Sequence, residues 1–172
     1  MTFRFSQRSL DRARNVDARL IAVAVIALTK STVDFGITEE QSRTYAEQAE
    51  KVARGVSQTM ESKHMIPKGG TVSTALDLVP FIDGRFQWGD GYWRVKTAAG
   101  PVIEPFYEIA AAMREAAVCS GVRVKWGGCW KVLNDLPAGA AAMKKAVEEY
   151  KSERRALGKS AFLDGPHFEV VS

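Results

Sequence analysis

Thr71-Val72-Ser73-Thr74-Ala75-Leu76-Asp77-Leu78-Val79-Pro80 reads as a strand, since Val, Thr and Leu are dense in it and a polar, glycine-rich stretch precedes it. One acidic residue lies inside it. Side chains alternate along a strand, so Asp77 projects opposite to Leu76 and Leu78. With the leucines on a core, Asp77 faces a cleft. A sheet with one buried and one functional face needs helices over the buried side, and the flanking sequence supplies them.

Residues 8–30 read as a helix, with Leu20, Ile21, Ala24 and Leu28 at helical spacing. Thr38-Glu39-Glu40-Gln41 has the form of a capping box and predicts a second helix over about 39–56, ended by Arg54-Gly55. Residues 57–70 read as loop. Beyond the opening strand, Asp83-Gly84 signals a tight turn into a short second strand. Residues 105–119 are alanine-rich and helical, Gly121 ends them, and 122–126 form another short strand. A helix over 138–157 stops before Gly158, and 168–171 close the chain as a final strand. The expected fold is α+β: a small antiparallel sheet carrying the site, packed against several helices, as one domain over 1–172.

The bulk properties suit such a domain. A chain of 172 residues, 46% hydrophobic and 26% charged, has globular composition, and this length buries roughly 70% of the unfolded surface. Lys and Arg exceed Asp and Glu by 24 to 20, a mild excess spread along the chain that favours anionic partners without choosing among them. Cys119 and Cys129 are too few for a disulfide framework and match no CxxC spacing, so both are read as reduced. The apolar run 20–28 is too short to span a bilayer and lacks a cleavage site, and it reads as a buried helix. Without an export signal, the chain is expected to be made in the cytoplasm.

The chain has only two histidines, His64 in Ser62-Lys63-His64 and His167 in Asp164-Gly165-Pro166-His167. Each has a carboxylate near it in sequence. A mononuclear hydrolytic zinc site typically uses two histidines, one carboxylate and an open position for water. If the strands bearing Asp77 and His167 are neighbours, three ligands converge, and the Gly165-Pro166 turn holds Asp164 within reach as a base.

At this point the residues resemble a family. Ser62-Lys63-His64 followed by Ala75-Leu76-Asp77-Leu78-Val79-Pro80, with Gly84 and Trp88 beyond, is similar to the Ser-x-His…Gly-x-Ala-x-Asp motif of the VanY-like zinc peptidases. The match is closest to the phage endolysins that cut the L-alanyl-D-glutamate bond of peptidoglycan. Phe3-Arg4-Phe5-Ser6 with Leu10, and Asp34-Phe35, resemble the endolysin N-terminus; Ser42-Arg43-Thr44 with Gln48 resembles its Arg-x-x-x-x-Gln helix start. Trp126-Gly127-Gly128-Cys129-Trp130 resembles Trp-Gly-Gly-Asp-Trp, and Asp164-Gly165-Pro166-His167-Phe168-Glu169 resembles Asp-x-x-His-Phe-Glu.

The resemblance implies Zn²⁺ held by His64, Asp77 and His167, with Asp164 as general base. It implies that Arg43 polarises the scissile carbonyl or holds a substrate carboxylate, and that Ser62 contacts substrate or supports a ligand. Two departures stand out. Met65 to Leu76 separates His64 from Asp77, six residues more than in the family, a loop that is cheap in closure entropy and could lie over the cleft. Asp83 and Asp90 are nearby alternative carboxylates, although the 75–80 match selects Asp77. Cys129 stands where the family often has aspartate, as a small buried side chain or an extra zinc ligand. Read without the family, Arg43 is a helix-surface residue pairing with Glu39 or Glu47, Trp126 and Trp130 are core, and Met60, Met65 and Met113 carry no cofactor signal.

The implied activity is host lysis by a zinc metallopeptidase cleaving the L-Ala–D-Glu bond of the peptidoglycan stem peptide. The protein is expected to be a monomer with no nucleic-acid partner and no stable membrane insertion, reaching the wall through a separate pore protein. A D-alanyl-D-alanine carboxypeptidase would share the metal site, and a wall- or nucleic-acid-binding module would use the basic surface alone.

Overall fold

The computed structural model describes residues 2–55, 57, 59–88 and 93–171. The N-terminal region holds two helices, α1 (Gln7–Arg12) and α2 (Ala18–Lys30), in place of the single helix expected over 8–30. The break has a long-range cause. Val16 pairs in a parallel bridge with Ser73, and the Asp17 carboxylate accepts the Arg19 N–H at 2.9 Å to start α2 afresh. A short strand, β1 (Phe35–Gly36), follows.

Helix α3 (Tyr45–Ala53) starts six residues later than expected, and Thr44 rather than Thr38 builds the capping box. Glu47 N–H donates to Thr44 Oγ1 at 3.3 Å, and Thr44 N–H donates to the Glu47 carboxylate at 2.7 Å. The Thr38 hydroxyl is buried without a partner.

The expected strand over 71–80 is two strands, β2 (Ala75–Asp77) and β3 (Val79–Ile82), in different sheets. Leu78 sits between them and donates its N–H to the Pro166 carbonyl at 2.9 Å. β4 (Arg85–Phe86) follows the Asp83-Gly84 turn, whose φ angles of 52° and 76° are those a type I′ hairpin requires. β5 (Val95–Lys96) and β6 (Val102–Ile103) form a separate hairpin. Then come α4 (Pro105–Ser120), β7 (Val124–Trp126), β8 (Lys131–Val132), a 3-10 turn at Leu133–Asp135, α5 (Ala140–Ala156) and β9 (His167–Val170).

The principal sheet is antiparallel, in the order β2-β9-β7-β8, and β1-β3-β4 form a second sheet. The α+β expectation holds. In the principal sheet, Leu76 is opposite Phe168 and Phe168 opposite Trp126, and all three are fully buried. They pack with Leu20, Val23 and Ala27 of α2 and with Ile109 and Met113 of α4. Each such large apolar side chain contributes about 1.5–3 kcal/mol by leaving water. One face of the run 20–28, Leu20, Val23, Ala24, Ala27 and Leu28, is thus core, and among the described residues no helix is long and apolar enough to cross a membrane. The next register pairs, Asp77 with His167 and Lys125 with Glu169, carry the other face.

Candidate metal centre

Asp77 ends β2 directly across from His167, the first residue of β9, so alternation and register together bring the two side chains to the same face. His64 arrives from the preceding loop. Its N–H donates to Ser62 Oγ at 3.3 Å, its carbonyl accepts the Arg43 N–H at 2.8 Å, and Thr74 N–H donates to the Lys63 carbonyl at 3.0 Å. These bonds lash the loop to the sheet on both sides.

The three side chains converge. His64 Nε2 lies 3.2 Å from Asp77 Oδ1 and 3.3 Å from His167 Nδ1, and His167 Nδ1 lies 3.5 Å from Asp77 Oδ1. Ligands at about 2.0–2.1 Å from a tetrahedral ion stand about 3.3 Å apart, so this donor set fits a zinc-sized ion. The remaining ring nitrogens are committed outward. His64 Nδ1 donates to the Gln41 carbonyl at 2.9 Å, and His167 Nε2 donates to Glu169 Oε2 at 3.1 Å. Each bond fixes the tautomer that leaves the inward nitrogen with its lone pair.

Gln41 and Glu169 are buried supports to which sequence reasoning gave no role. Gln41 also accepts the Asp77 N–H through its side-chain oxygen at 2.7 Å, and so touches two of the three candidate ligands. Glu169 is held by Lys125, whose Nζ is 2.5 Å away. Its signal was readable: two residues after His167 on a strand lies the same face.

The electrostatics suit a cation. Burial opposes the charge on Asp77, but the His64 charge and the His167 hydrogen bond outweigh it and hold the carboxyl well below its usual range. Burial likewise pushes His167 down, yet its bonds to Asp77 and Glu169 raise it to about 9. Glu169, buried but bonded to His167 and Lys125, is held at about 2. Asp164 goes the other way: burial raises it and the Asp77 charge adds to the effect. Asp164 is anchored by its N–H to the Gly127 carbonyl at 3.0 Å, and its carbonyl accepts the His167 N–H at 3.2 Å to close the Gly165-Pro166 turn. Gly127 permits this approach, because a Cβ there would lie 2.5 Å from the Asp164 carbonyl oxygen.

A cleft of about 370 Å³ opens over the three donors, and Arg43, Ser62, Trp130 and Asp164 line it. Arg43 precedes α3 rather than lying on its surface. Glu39 pairs with Lys51 instead, at 3.3 Å, and Glu47 with the Thr44 cap. The Arg43 guanidinium donates from Nη1 to Gln48 Oε1 at 3.3 Å, and its buried Nε has no partner. Gln48 is in turn fixed by Ser57 and the Thr59 carbonyl. Trp126 is core as expected, but Trp130 is half-buried and borders the cleft. The insertion between His64 and Asp77 does not cover the cleft; Met65, Ile66, Pro67 and Lys68 line an adjoining groove. Asp83 accepts the Ala98 N–H at 2.8 Å in a distant turn, and Asp90 lies outside the described residues. Cys129 is buried and free, and burial pushes its thiol up. The donor cluster among the described residues comprises His64, Asp77 and His167 without it.

The chain is similar to known proteins in sequence and in structure. A family model described as phage L-alanyl-D-glutamate peptidase matches residues 1–171. The L-alanyl-D-glutamate peptidase of Escherichia phage T5 is 28% identical over 138 residues, covering 78% of this chain and 87% of that protein. The crystal structure of the Serratia marcescens L-Ala D-Glu endopeptidase ChiX is similar with a TM-score of 0.64 and 29% identity, over 99% of this chain and 91% of the other.

Proposed function

The chain belongs to the phage L-alanyl-D-glutamate peptidase family and cleaves the L-Ala–D-Glu bond of peptidoglycan; from that premise we propose that it does so as a zinc peptidase, with His64, Asp77 and His167 holding the metal and Asp164 as general base. The observation that carries this reading is the mutual approach of His64 Nε2, Asp77 Oδ1 and His167 Nδ1 to 3.2–3.5 Å. Two imidazoles, neutral once a bound metal displaces the His167 proton, and one carboxylate form a three-ligand hydrolytic set with a position left open.

Zinc in this set supplies Lewis acidity, polarising the scissile carbonyl and bringing the pKa of a water to about 7. Asp164, its affinity for protons raised by burial, accepts the proton of the attacking water and returns it to the glutamyl nitrogen as the amide breaks. Arg43 lines the same cleft, so its guanidinium binds the carbonyl oxygen as charge develops there or holds the substrate's free carboxylate. Ser62 orients His64 through its backbone N–H and borders the substrate. The enzyme works as a monomer on the cell wall, reached from the cytoplasm through a separately made membrane lesion.

Metal analysis combined with mass spectrometry of digested walls tests the reading. The purified protein is expected to carry about one zinc per chain and to release whole stem peptides from the glycan rather than single alanines. His64→Ala and His167→Ala lose metal and turnover together. Asp164→Ala keeps its metal and loses about 10²–10⁴-fold in turnover; full turnover in that variant would refute the assignment of the base.

A further inference from the structure

The cleft is lined by chemically different side chains, the polar Arg43, Ser62 and Lys63 and the aromatic Trp130 and Phe162. The two aromatic rings are stacked, centroids 5.9 Å apart and planes 19° from parallel. Trp130 Nε1–H donates to the Phe162 carbonyl at 2.9 Å, so one residue holds the other by both backbone and ring. Trp130 itself is fixed with φ at 56°, a conformation that bulky residues hold only when their surroundings impose it. Its ring centroid lies 5.5 Å from that of His167. The pair is therefore rigid and adjoins a candidate metal ligand.

Phe162 gains little from its position as far as folding is concerned. It is 50% exposed, although the next residue, Leu163, packs against the core. An ordered aromatic ring left half in water beside a reaction centre is apolar surface available to a ligand.

The substrate has a matching asymmetry. A glutamyl residue joined through its nitrogen and one carboxyl keeps one free carboxylate, which suits the Arg43 and Lys63 cations of the lining. On the other side of the scissile bond stands alanine, whose methyl covers only a fraction of two stacked rings. The alanine nitrogen, however, is acylated by the lactyl group of the glycan's amino sugar, and the CH face of a pyranose ring is broad enough to lie on them. We propose that Phe162, backed by Trp130, is the subsite for the glycan sugar next to the alanine, and that it makes the enzyme prefer stem peptides still attached to glycan over released peptides. This rests on the L-Ala–D-Glu cleavage reading above.

The test compares kcat/KM on a muropeptide and on the same stem peptide without its sugar, for the parent, Phe162→Ala and Phe162→Trp. The parent is expected to favour the muropeptide by about tenfold, the size of a good aromatic contact. Phe162→Ala brings the ratio to about one, chiefly through KM, and Phe162→Trp restores it. A parent ratio near one overturns the proposal. So does a Phe162→Ala variant that slows both substrates equally, since that is the signature of a ring that merely props Trp130. Binding of N-acetylmuramoyl-L-alanine, followed by saturation-transfer NMR, reads the subsite without turnover. Contact at Phe162 that disappears in Phe162→Ala supports it, and equal binding by both proteins refutes it. Failure of the parent to cut either substrate would count against the hydrolytic reading and leave the binding result to decide the subsite.

Discussion

Gly127→Ala is expected to damage stability and turnover together, because one backbone contact sets the position of both Asp164 and His167. The added methyl would lie 2.5 Å from the Asp164 carbonyl oxygen, 2.9 Å from Asp164 Cβ and 3.0 Å from His167 Cβ. Ordinary carbon contacts are about 3.5–4.0 Å, so the turn has to retreat by about 1 Å. It is not free to do so. Asp164 N–H donates to the Gly127 carbonyl at 3.0 Å, and Gly127 N–H donates to the His167 carbonyl at 2.9 Å. Overpacking costs about 1–3 kcal/mol and weakening a backbone hydrogen bond about 1 kcal/mol more. For a domain of this size, a total of about 2–4 kcal/mol lowers Tm by roughly 5–15 °C. A misplacement of about 1 Å at the base or a ligand lowers kcat by about 100-fold. Gly69→Ala is the control, since its φ of 80° strains an alanine backbone but nothing lies within 4 Å of a Cβ there; it should lose stability to backbone strain and keep its turnover. Thermal melts and steady-state assays on soluble peptide decide the matter. A Gly127→Ala protein with parental Tm and parental kcat would show that the contact does not position the centre.

Three further outcomes follow from particular contacts. Glu169→Gln removes the charge that orients His167 and is expected to lower metal affinity about 10–100-fold, read by competition with a chromogenic chelator; unchanged affinity would remove Glu169 from the centre. Thr44→Ala loses a working cap and costs about 1 kcal/mol in denaturant titration, whereas Thr38→Ala deletes a buried hydroxyl that bonds to nothing and costs less; equal costs would contradict the placement of α3. Burial, aided by the Glu104 and Glu148 charges, raises Tyr107 from 10.0 to about 12. Its folded value lies above its unfolded one, so its contribution to stability is whole below about pH 10 and is lost as pH rises toward about 12. Tyr107→Phe should flatten that alkaline decline in melts taken across the window, and an unaltered decline would assign it to other groups.

Much of the centre was legible because its residues lie where short-range rules apply. Asp77 between two leucines and Asp164 across a Gly-Pro turn from His167 need only strand alternation and turn geometry. What escaped was set by distant partners. Thr38-x-x-Gln41 and Thr44-x-x-Glu47 are equivalent as capping signals, and only the fold shows Gln41 occupied with Asp77 and His64. The break between α1 and α2 depends on Ser73, and the division of the 71–80 segment between two sheets depends on the Pro166 carbonyl. Trp130 looked like core because a sequence cannot reveal that its backbone adopts φ 56° and turns the ring toward the cleft.

The order of strands in the principal sheet bears on when the enzyme becomes active. β9 lies between β2 and β7, hydrogen-bonded to both, yet it follows them in sequence, and His64 and His167 meet across 103 residues. Translation delivers the chain from its N-terminus. Until β9 leaves the ribosome, the sheet lacks an interior strand and the proposed donor set lacks its third member, so on that assignment a nascent or prematurely ended chain has no hydrolytic centre. With His167 as a ligand, as proposed, the hydrolytic centre is completed only in chains whose synthesis has passed residue 167, a quality control exerted by topology alone.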